Sequence, residues 1–133
     1  MTARVWVVDD EPLIRAAVVA VLEEVGYDAT PLASAEELYV RLVGGETPPD
    51  LLVLDQMLPD ESGDQIIRSL RERPQYRDIP VLFLTALSED DAGRLTDLAP
   101  VVTKPFDFRD LVNTVAHLTG TPAQGMADEG PAA

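Results

Sequence analysis

Short apolar runs alternate with longer amphipathic segments along this chain, and that alternation limits the folds open to it. The runs predict strands, which lie at residues 4–8, 27–32, 51–55, 80–85 and 101–103. Between them, apolar residues recur at spacings of three and four, the period of a helix with one buried face. Two of the runs, LLVLD and PVLFLT, are almost wholly apolar, which is typical of parallel strands covered on both faces. The repeated strand and helix units therefore predict a parallel sheet with helices on each side.

Local signals place the ends of the five predicted helices. Gly26 stops the first helix, and Ser34 with Glu37 three residues later forms a capping box that opens the second. Pro74 ends the third helix. The fourth helix is predicted to be short, within residues 88–98, and the fifth follows the last strand.

We therefore predict an α/β fold: a single flavodoxin-like, doubly wound domain with a five-stranded parallel sheet in the order 2-1-3-4-5, five helices and a shortened helix 4 region. Residues 1–119 are expected to form this domain. Residues 120–133 are mostly small or polar and include Gly and Pro, so we expect them to be a flexible C-terminal tail.

Composition excludes several classes of function. The chain has 24 acidic and 10 basic residues, which leaves no basic stripe for a nucleic acid, so direct DNA or RNA binding is not expected. The absence of cysteine excludes disulfides, thiolate zinc sites and a cysteine nucleophile. No apolar run is long enough to span a bilayer, and the N-terminus lacks a signal-peptide layout, so we expect a cytoplasmic location without membrane association.

The carboxyl ends of four predicted strands carry charged or hydroxyl side chains. Asp9 and Asp10 close the first strand, Asp55 the third and Thr85 the fourth, and Lys104 follows the fifth. Ligands of doubly wound sheets bind at this edge, and the order 2-1-3-4-5 makes the first and third strands neighbours. Three carboxylates would then share one small space.

Such a cluster favours binding of a cation, because like charges held together raise one another's pKa or recruit a counter-ion. Carboxylate oxygens beside an expected phosphate suit Mg²⁺ better than zinc. The Lys104 ammonium and the Thr85 hydroxyl supply a positive charge and a donor for phosphoryl oxygens. Asp55 is left as a candidate nucleophile.

The chain also resembles the response-regulator receiver domains of two-component signalling. The resemblance covers residues 4–118, and the motifs that carry it are VVDDEP (7–12), VLDQMLPDESG (53–63), LTA (84–86) and TKPF (103–106). It implies that Asp55 accepts a phosphoryl group from a phosphohistidine on a sensor histidine kinase or a histidine phosphotransfer protein. The predicted strand order also rests partly on this resemblance.

The resemblance assigns a metal site as well. It implies that Mg²⁺ is bound by Asp10, Asp55 and the backbone carbonyl of Met57, while Asp9 acts through water. No further enzymatic activity is expected beyond phosphorylation of the chain's own aspartate and slow self-dephosphorylation. The slow rate is expected because the resemblance puts Met57 and Leu87, both bulky and apolar, at the two positions beside the approach of a hydrolytic water.

Phosphorylation is expected to change a surface that contacts another protein. The resemblance implies that Lys104 pairs with the phosphoryl group, that Thr85 closes onto it, and that the bond from Lys104 to Pro105 is cis. The face of helix 4, strand 5 and helix 5 would then bind a downstream protein, and a homodimer is among the assemblies allowed. Val101 stands where an aromatic switch residue is common in the family, so backbone ordering rather than ring rotation is expected to report phosphorylation.

Each residue has a structural alternative. Asp10 would be the N-cap of the helix that begins at Pro12, Asp55 a turn residue, and Lys104 a rim side chain. Two functional alternatives are a receiver that only docks partners and a haloacid-dehalogenase-type phosphatase. The phosphatase needs a second aspartate where Met57 stands.

Overall fold

One parallel sheet forms the centre of the protein. The computed structural model describes residues 2–86 and 93–124. The five strands are β1 (Arg4–Val8), β2 (Asp28–Leu32), β3 (Leu51–Asp55), β4 (Val81–Thr85) and β5 (Val101–Thr103). They pair in the order β2-β1-β3-β4-β5, and every pairing is parallel. The predicted α/β class and strand order are confirmed.

Helices cover both faces of the sheet. They are α1 (Pro12–Glu24), α2 (Ala35–Val43), α3 (Gly63–Arg71) and α5 (Phe108–Thr119), and residues 93–95 are also helical and are labelled α4. The predicted start of that helix at Ser88 lies outside the described residues. None of the helices within the described part of the chain has the length and apolarity needed to cross a membrane.

Of two predicted helix signals, one agrees with the structure and the other is half formed. Helix α3 ends at Arg71, before Pro74, as expected when the residue preceding a proline disfavours helical backbone. The Ser34 hydroxyl accepts from the Glu37 N–H at 3.2 Å as a capping box requires. The Glu37 carboxylate, however, accepts from the Ala33 N–H at 3.0 Å, one residue before the N-cap.

The sheet divides the apolar interior into two cores, and β1 contributes to both because alternate side chains of a strand point to opposite faces. Val5 and Val7 pack in a core with residues of α1 and α5. Trp6 and Val8 pack in the other core with residues of α2 and α3. Burial on both faces explains why β3 and β4 read as continuous apolar runs.

Residues 121–124 pack against the end of α1 and the start of β2. The Tyr27 hydroxyl donates to the Thr121 carbonyl at 2.6 Å. The Gln124 N–H donates to the Val25 carbonyl at 2.7 Å. The domain boundary expected after residue 119 stays a prediction, and these contacts show that the first residues of the expected tail lie against the domain.

Candidate functional site

The site lies where β1 and β3 end side by side. Asp9 follows β1 and Asp55 is the last residue of β3, and the register pairs Val8 with Leu54 one position earlier. Both aspartates are buried, with 1% and 4% of their surfaces exposed. Ionised carboxylates at such depth need positive or hydrogen-bonding partners, because burial strongly disfavours an isolated charge.

Lys104 supplies the positive charge. Its Nζ lies 2.9 Å from Asp9 Oδ2 and 3.4 Å from Asp55 Oδ2. It also lies 3.4 Å from Glu11 Oε1. The lysine side chain is only 10% exposed, so three carboxylates share one nearly buried ammonium.

Burial and charge shift two pKa values at this site. Burial raises the pKa of the Asp55 carboxyl, and it outweighs the hydrogen bond from the Met57 N–H and the field of Lys104. Burial disfavours the charged form of Lys104, but its hydrogen bond to Asp9 and the fields of Asp55, Asp9 and Glu11 together raise the pKa of the ammonium. The lysine is therefore held charged beside a carboxylate that ionises reluctantly.

The acidic cluster offers ligands for a hard cation. One carboxylate oxygen each from Asp9, Glu11 and Asp55 lies within 4.8 Å of the others, the one such group in the described part of the chain. An all-oxygen donor set of this kind fits Mg²⁺. Asp10, expected as a ligand, is not a member of this group. The Met57 N–H donates to Asp55 Oδ1 at 3.0 Å, which places the Met57 backbone beside the cluster.

Glu11 is the residue that the sequence analysis missed. The N-cap of α1 is Glu11 and not Asp10, so the structural alternative for Asp10 is wrong. Pro12 is a signal for the N-cap position alone, because proline prefers the first position inside a helix and the N-cap immediately precedes that position. No local signal indicates that the Glu11 side chain joins the cluster. The Glu11 N–H donates to Asp9 Oδ1 at 2.9 Å, which orders the turn between β1 and α1.

The turn after Asp55 is held by a compact set of hydrogen bonds. The Gln56 side chain accepts from the Asp64 N–H at 2.8 Å and donates to Asp64 Oδ1 at 2.7 Å. The hydrogen bond from Gln56 lowers the pKa of the Asp64 carboxyl. Gly63 allows the close approach, because a Cβ there would lie 3.0 Å from the Asp55 carbonyl oxygen and 2.9 Å from Gln56 Oε1. The start of α3 is thus packed directly against the end of β3.

The same loop is bound to α2. Asp60 accepts from the backbone N–H groups of Ala35 at 3.3 Å and Glu36 at 3.0 Å, so it caps a helix to which it does not belong. The Tyr39 hydroxyl donates to Glu61 Oε2 at 2.9 Å. Burial and the hydrogen bond to Glu61 raise the pKa of Tyr39 to about 12. The loop that follows Asp55 is therefore coupled to α2.

Thr85 ends β4 and Lys104 directly follows the neighbouring strand β5, on the other side of the site. Thr85 is fully buried at the end of β4 and pairs with Thr103 of β5. The Lys104 N–H donates to the Thr85 carbonyl at 2.6 Å. The peptide bond from Lys104 to Pro105 is cis, as the resemblance implied.

Fold and site together define a class: doubly wound α/β domains with an acidic cluster and one lysine at the carboxyl edge of the sheet. The model of the response regulator receiver domain matches residues 5–116, and the chain belongs to this family. It is thus a receiver domain of the response-regulator type, and the phosphatase alternative is not favoured. The acidic cluster fits the phosphoacceptor function of such domains.

Curated relatives are about twice as long as this chain. The phosphate regulon transcriptional regulatory protein PhoB of Escherichia coli is 39% identical over 115 residues, which cover 84% of this chain and 49% of PhoB. The transcriptional regulatory protein TrcR of Mycobacterium tuberculosis is 37% identical over 133 residues, which cover 97% of this chain and 49% of TrcR. The chain therefore spans about half the length of these relatives.

Solved receiver domains share the fold over most of this chain. The receiver domain of the Francisella response regulator 1452 is 28% identical with a TM-score of 0.78, and the match covers 90% of this chain and 98% of that one. The BeF3-activated DrrB receiver domain is 32% identical with a TM-score of 0.74, covering 90% and 99%.

Proposed function

We propose that Asp55 is the phosphoacceptor and that a phosphohistidine on a sensor histidine kinase or a histidine phosphotransfer protein is the donor. The observation that carries the proposal is the buried Asp55 carboxylate at the end of β3, 3.4 Å from the Lys104 ammonium. An Asp55 oxygen attacks phosphorus while the bond from phosphorus to the histidine nitrogen breaks, and the nitrogen leaves with the electron pair. Lys104 is placed to neutralise the charge that the phosphoryl group brings.

Mg²⁺ is the proposed cofactor. Asp9, Glu11 and Asp55 supply a donor set that fits it, and membership of the family adds Asp10 and the Met57 carbonyl as ligands. When bound, the ion would neutralise negative charge on the phosphoryl oxygens. The residues of the chain supply the rest: Asp55 attacks, Lys104 pairs with the product, and we propose that Thr85 closes onto it.

The test is phosphorylation by a small donor. Incubation with acetyl phosphate and Mg²⁺ should add the mass of one phosphoryl group to the wild-type protein, and EDTA should prevent it. Asp55→Asn should gain nothing, because the amide is not a nucleophile of this kind. Asp28→Asn is the matched control. Asp28 is exposed at the amino end of β2, away from the strand ends that form the site, so its substitution should leave the reaction unchanged. Phosphate on the Asp55→Asn protein would contradict the assignment.

The phosphorylated form is proposed to be long-lived and to act through protein contact. Met57 is 61% exposed beside Asp55 and has no group that could orient a hydrolytic water. Leu87, the second residue expected to hinder that water, lies outside the described residues. Slow self-dephosphorylation in an otherwise non-enzymatic domain would suit a relay or a sustained signal.

The output surface is proposed to be the face of α4, β5 and α5. Phe108, the first residue of α5, is 40% exposed, and its ring packs edge-on against Phe106 with centroids 5.3 Å apart. A downstream protein or a second copy of the chain is the proposed partner, in the cytoplasm. PhoB and TrcR are named transcriptional regulatory proteins, and we propose that any such output lies outside residues 1–119 and that these residues do not bind DNA directly.

A further inference from the structure

Glu11 occupies the N-cap position of α1, yet its side chain does not cap the helix. An N-cap side chain ordinarily accepts a hydrogen bond from an N–H of the first turn. Here the carboxylate is directed to the acidic cluster, with Oε1 3.4 Å from Lys104 Nζ. Its backbone is fixed by the hydrogen bond to Asp9. The side chain therefore serves the cluster and not the helix.

Glu11 is also the exposed member of the cluster. Its side chain is 59% exposed, whereas Asp9 and Asp55 are 1% and 5% exposed. Three carboxylates surround one ammonium, so three negative charges against one positive charge leave a formal charge of −2 when all are ionised. An anion that approaches Asp55 from solvent meets this excess first at Glu11, and salt screens the repulsion beyond about 10 Å at 0.1 M.

We propose that Glu11 is a positioning residue that holds Lys104 before phosphorylation and selects against free anionic phosphodonors. The inference rests on the proposed role of Asp55 as phosphoacceptor. Lys104 lies at the same 3.4 Å from Glu11 and from Asp55, so the two carboxylates compete for its ammonium. A small anion must break the Glu11 contact unaided, whereas a protein donor can bring compensating charge to the exposed rim.

The reaction with acetyl phosphate isolates this effect. An Asp55 oxygen attacks phosphorus, the bond from phosphorus to the acetate oxygen breaks, and acetate leaves with the electron pair. No proton and no further reactant is needed. Because acetyl phosphate is a small anion, the rate at which it phosphorylates Asp55 should depend directly on the charge at Glu11.

The first experiment measures that rate by intact mass for the wild type and Glu11→Gln, each at a Mg²⁺ concentration shown by titration to be saturating. Glu11→Gln should react about fivefold faster at low ionic strength, the order expected for loss of a partly exposed charge, and the advantage should shrink as salt is added. Glu24→Gln makes the same charge change at the exposed far end of α1 and should follow the wild type at every salt concentration.

The second experiment needs neither metal nor phosphate. Lys104 is the only lysine of the sequence, so an amine-acylating reagent labels it and the N-terminal amine alone. Glu11→Gln should label about threefold faster at Lys104, since a weak ion pair is lost, with the N-terminal amine unchanged as an internal reference. Equal labelling, or equal phosphorylation rates, would overturn the proposal. Absence of phosphate on the wild type would overturn the proposed function instead, and labelling would still report whether Glu11 holds Lys104.

Discussion

At the scale of single residues, the site holds more carboxylates than positive groups. The Lys104 ammonium pairs with Asp9, Glu11 and Asp55, and the Arg15 guanidinium donates to the Asp9 carbonyl at 2.7 Å. Burial still raises the pKa of the Asp55 carboxyl despite the ammonium nearby. The folded protein thus binds the Asp55 proton more tightly than the unfolded chain does. Stability from the protonated carboxyl is present below the unfolded pKa and is lost as the pH rises through the raised folded value.

Asp55→Asn should therefore be more stable than the wild type at neutral pH in EDTA. The difference should narrow as the pH falls and Asp55 becomes protonated in the wild type. Urea unfolding at several pH values measures it, and Asp28→Asn, at an exposed position, should show no such pH dependence. A free energy of unfolding for Asp55→Asn below that of the wild type at pH 7 would show that Lys104 fully compensates the buried charge.

The sequence was sufficient to predict that Asp9, Asp55 and Lys104 lie close together, because the parallel strands that precede or contain them have their carboxyl ends on the same side of the sheet. It was not sufficient for Glu11. The direction of that side chain depends on a turn that is ordered by a backbone hydrogen bond to Asp9, which no local pattern specifies.

At the scale of secondary-structure elements, α2 depends on a neighbouring loop for part of its N-terminal cap. Ser34 satisfies one N–H of the first turn, and Asp60 satisfies two more from a position about 25 residues away in sequence. The Ser34 signal could be predicted from spacing alone. The Asp60 contacts could not, since they exist only once β3 and α2 are packed together.

Asp60→Ala and Ser34→Ala should separate these two contributions. Each removes a cap from α2, and each should lower the free energy of unfolding by about 1 kcal/mol. Only Asp60→Ala removes a contact between α2 and the loop after Asp55, so only it should increase hydrogen exchange in residues 56–62. Equal exchange in that loop for both variants would mean that the remaining contacts, including the hydrogen bond from Tyr39 to Glu61, are enough to hold the loop.

At the scale of the whole molecule, residues 121–124 extend the folded unit beyond α5. Composition alone suggested a flexible tail from residue 120 onward, because small and polar residues carry little sign of burial. The hydrogen bonds from Tyr27 and Gln124 are backbone and hydroxyl contacts, which composition does not reveal. The two apolar cores, by contrast, follow from the periodicity of strands and helices.

Tyr27→Phe should weaken this attachment by removing the hydroxyl that donates to Thr121. The expected loss is about 1 kcal/mol in the free energy of unfolding, with faster hydrogen exchange at residues 121–124. Tyr76→Phe is the matched control, since it removes a hydroxyl that donates to the Leu42 carbonyl at 3.1 Å, from a residue that packs against the other apolar core. Similar exchange at residues 121–124 in the two variants would show that Gln124 alone suffices.

The attachment of residues 121–124 also fixes the position of Gln124 relative to the site. These residues lie beside Val25 and Tyr27, before β2 begins, whereas Asp55 stands at the opposite ends of the strands. A five-residue strand is about 16 Å long, so a distance of that order separates residue 124 from the chemistry. A fluorophore or an affinity handle attached at residue 124 would leave the approach to Asp55 open, which makes this position suitable for immobilising the protein while a kinase phosphorylates it.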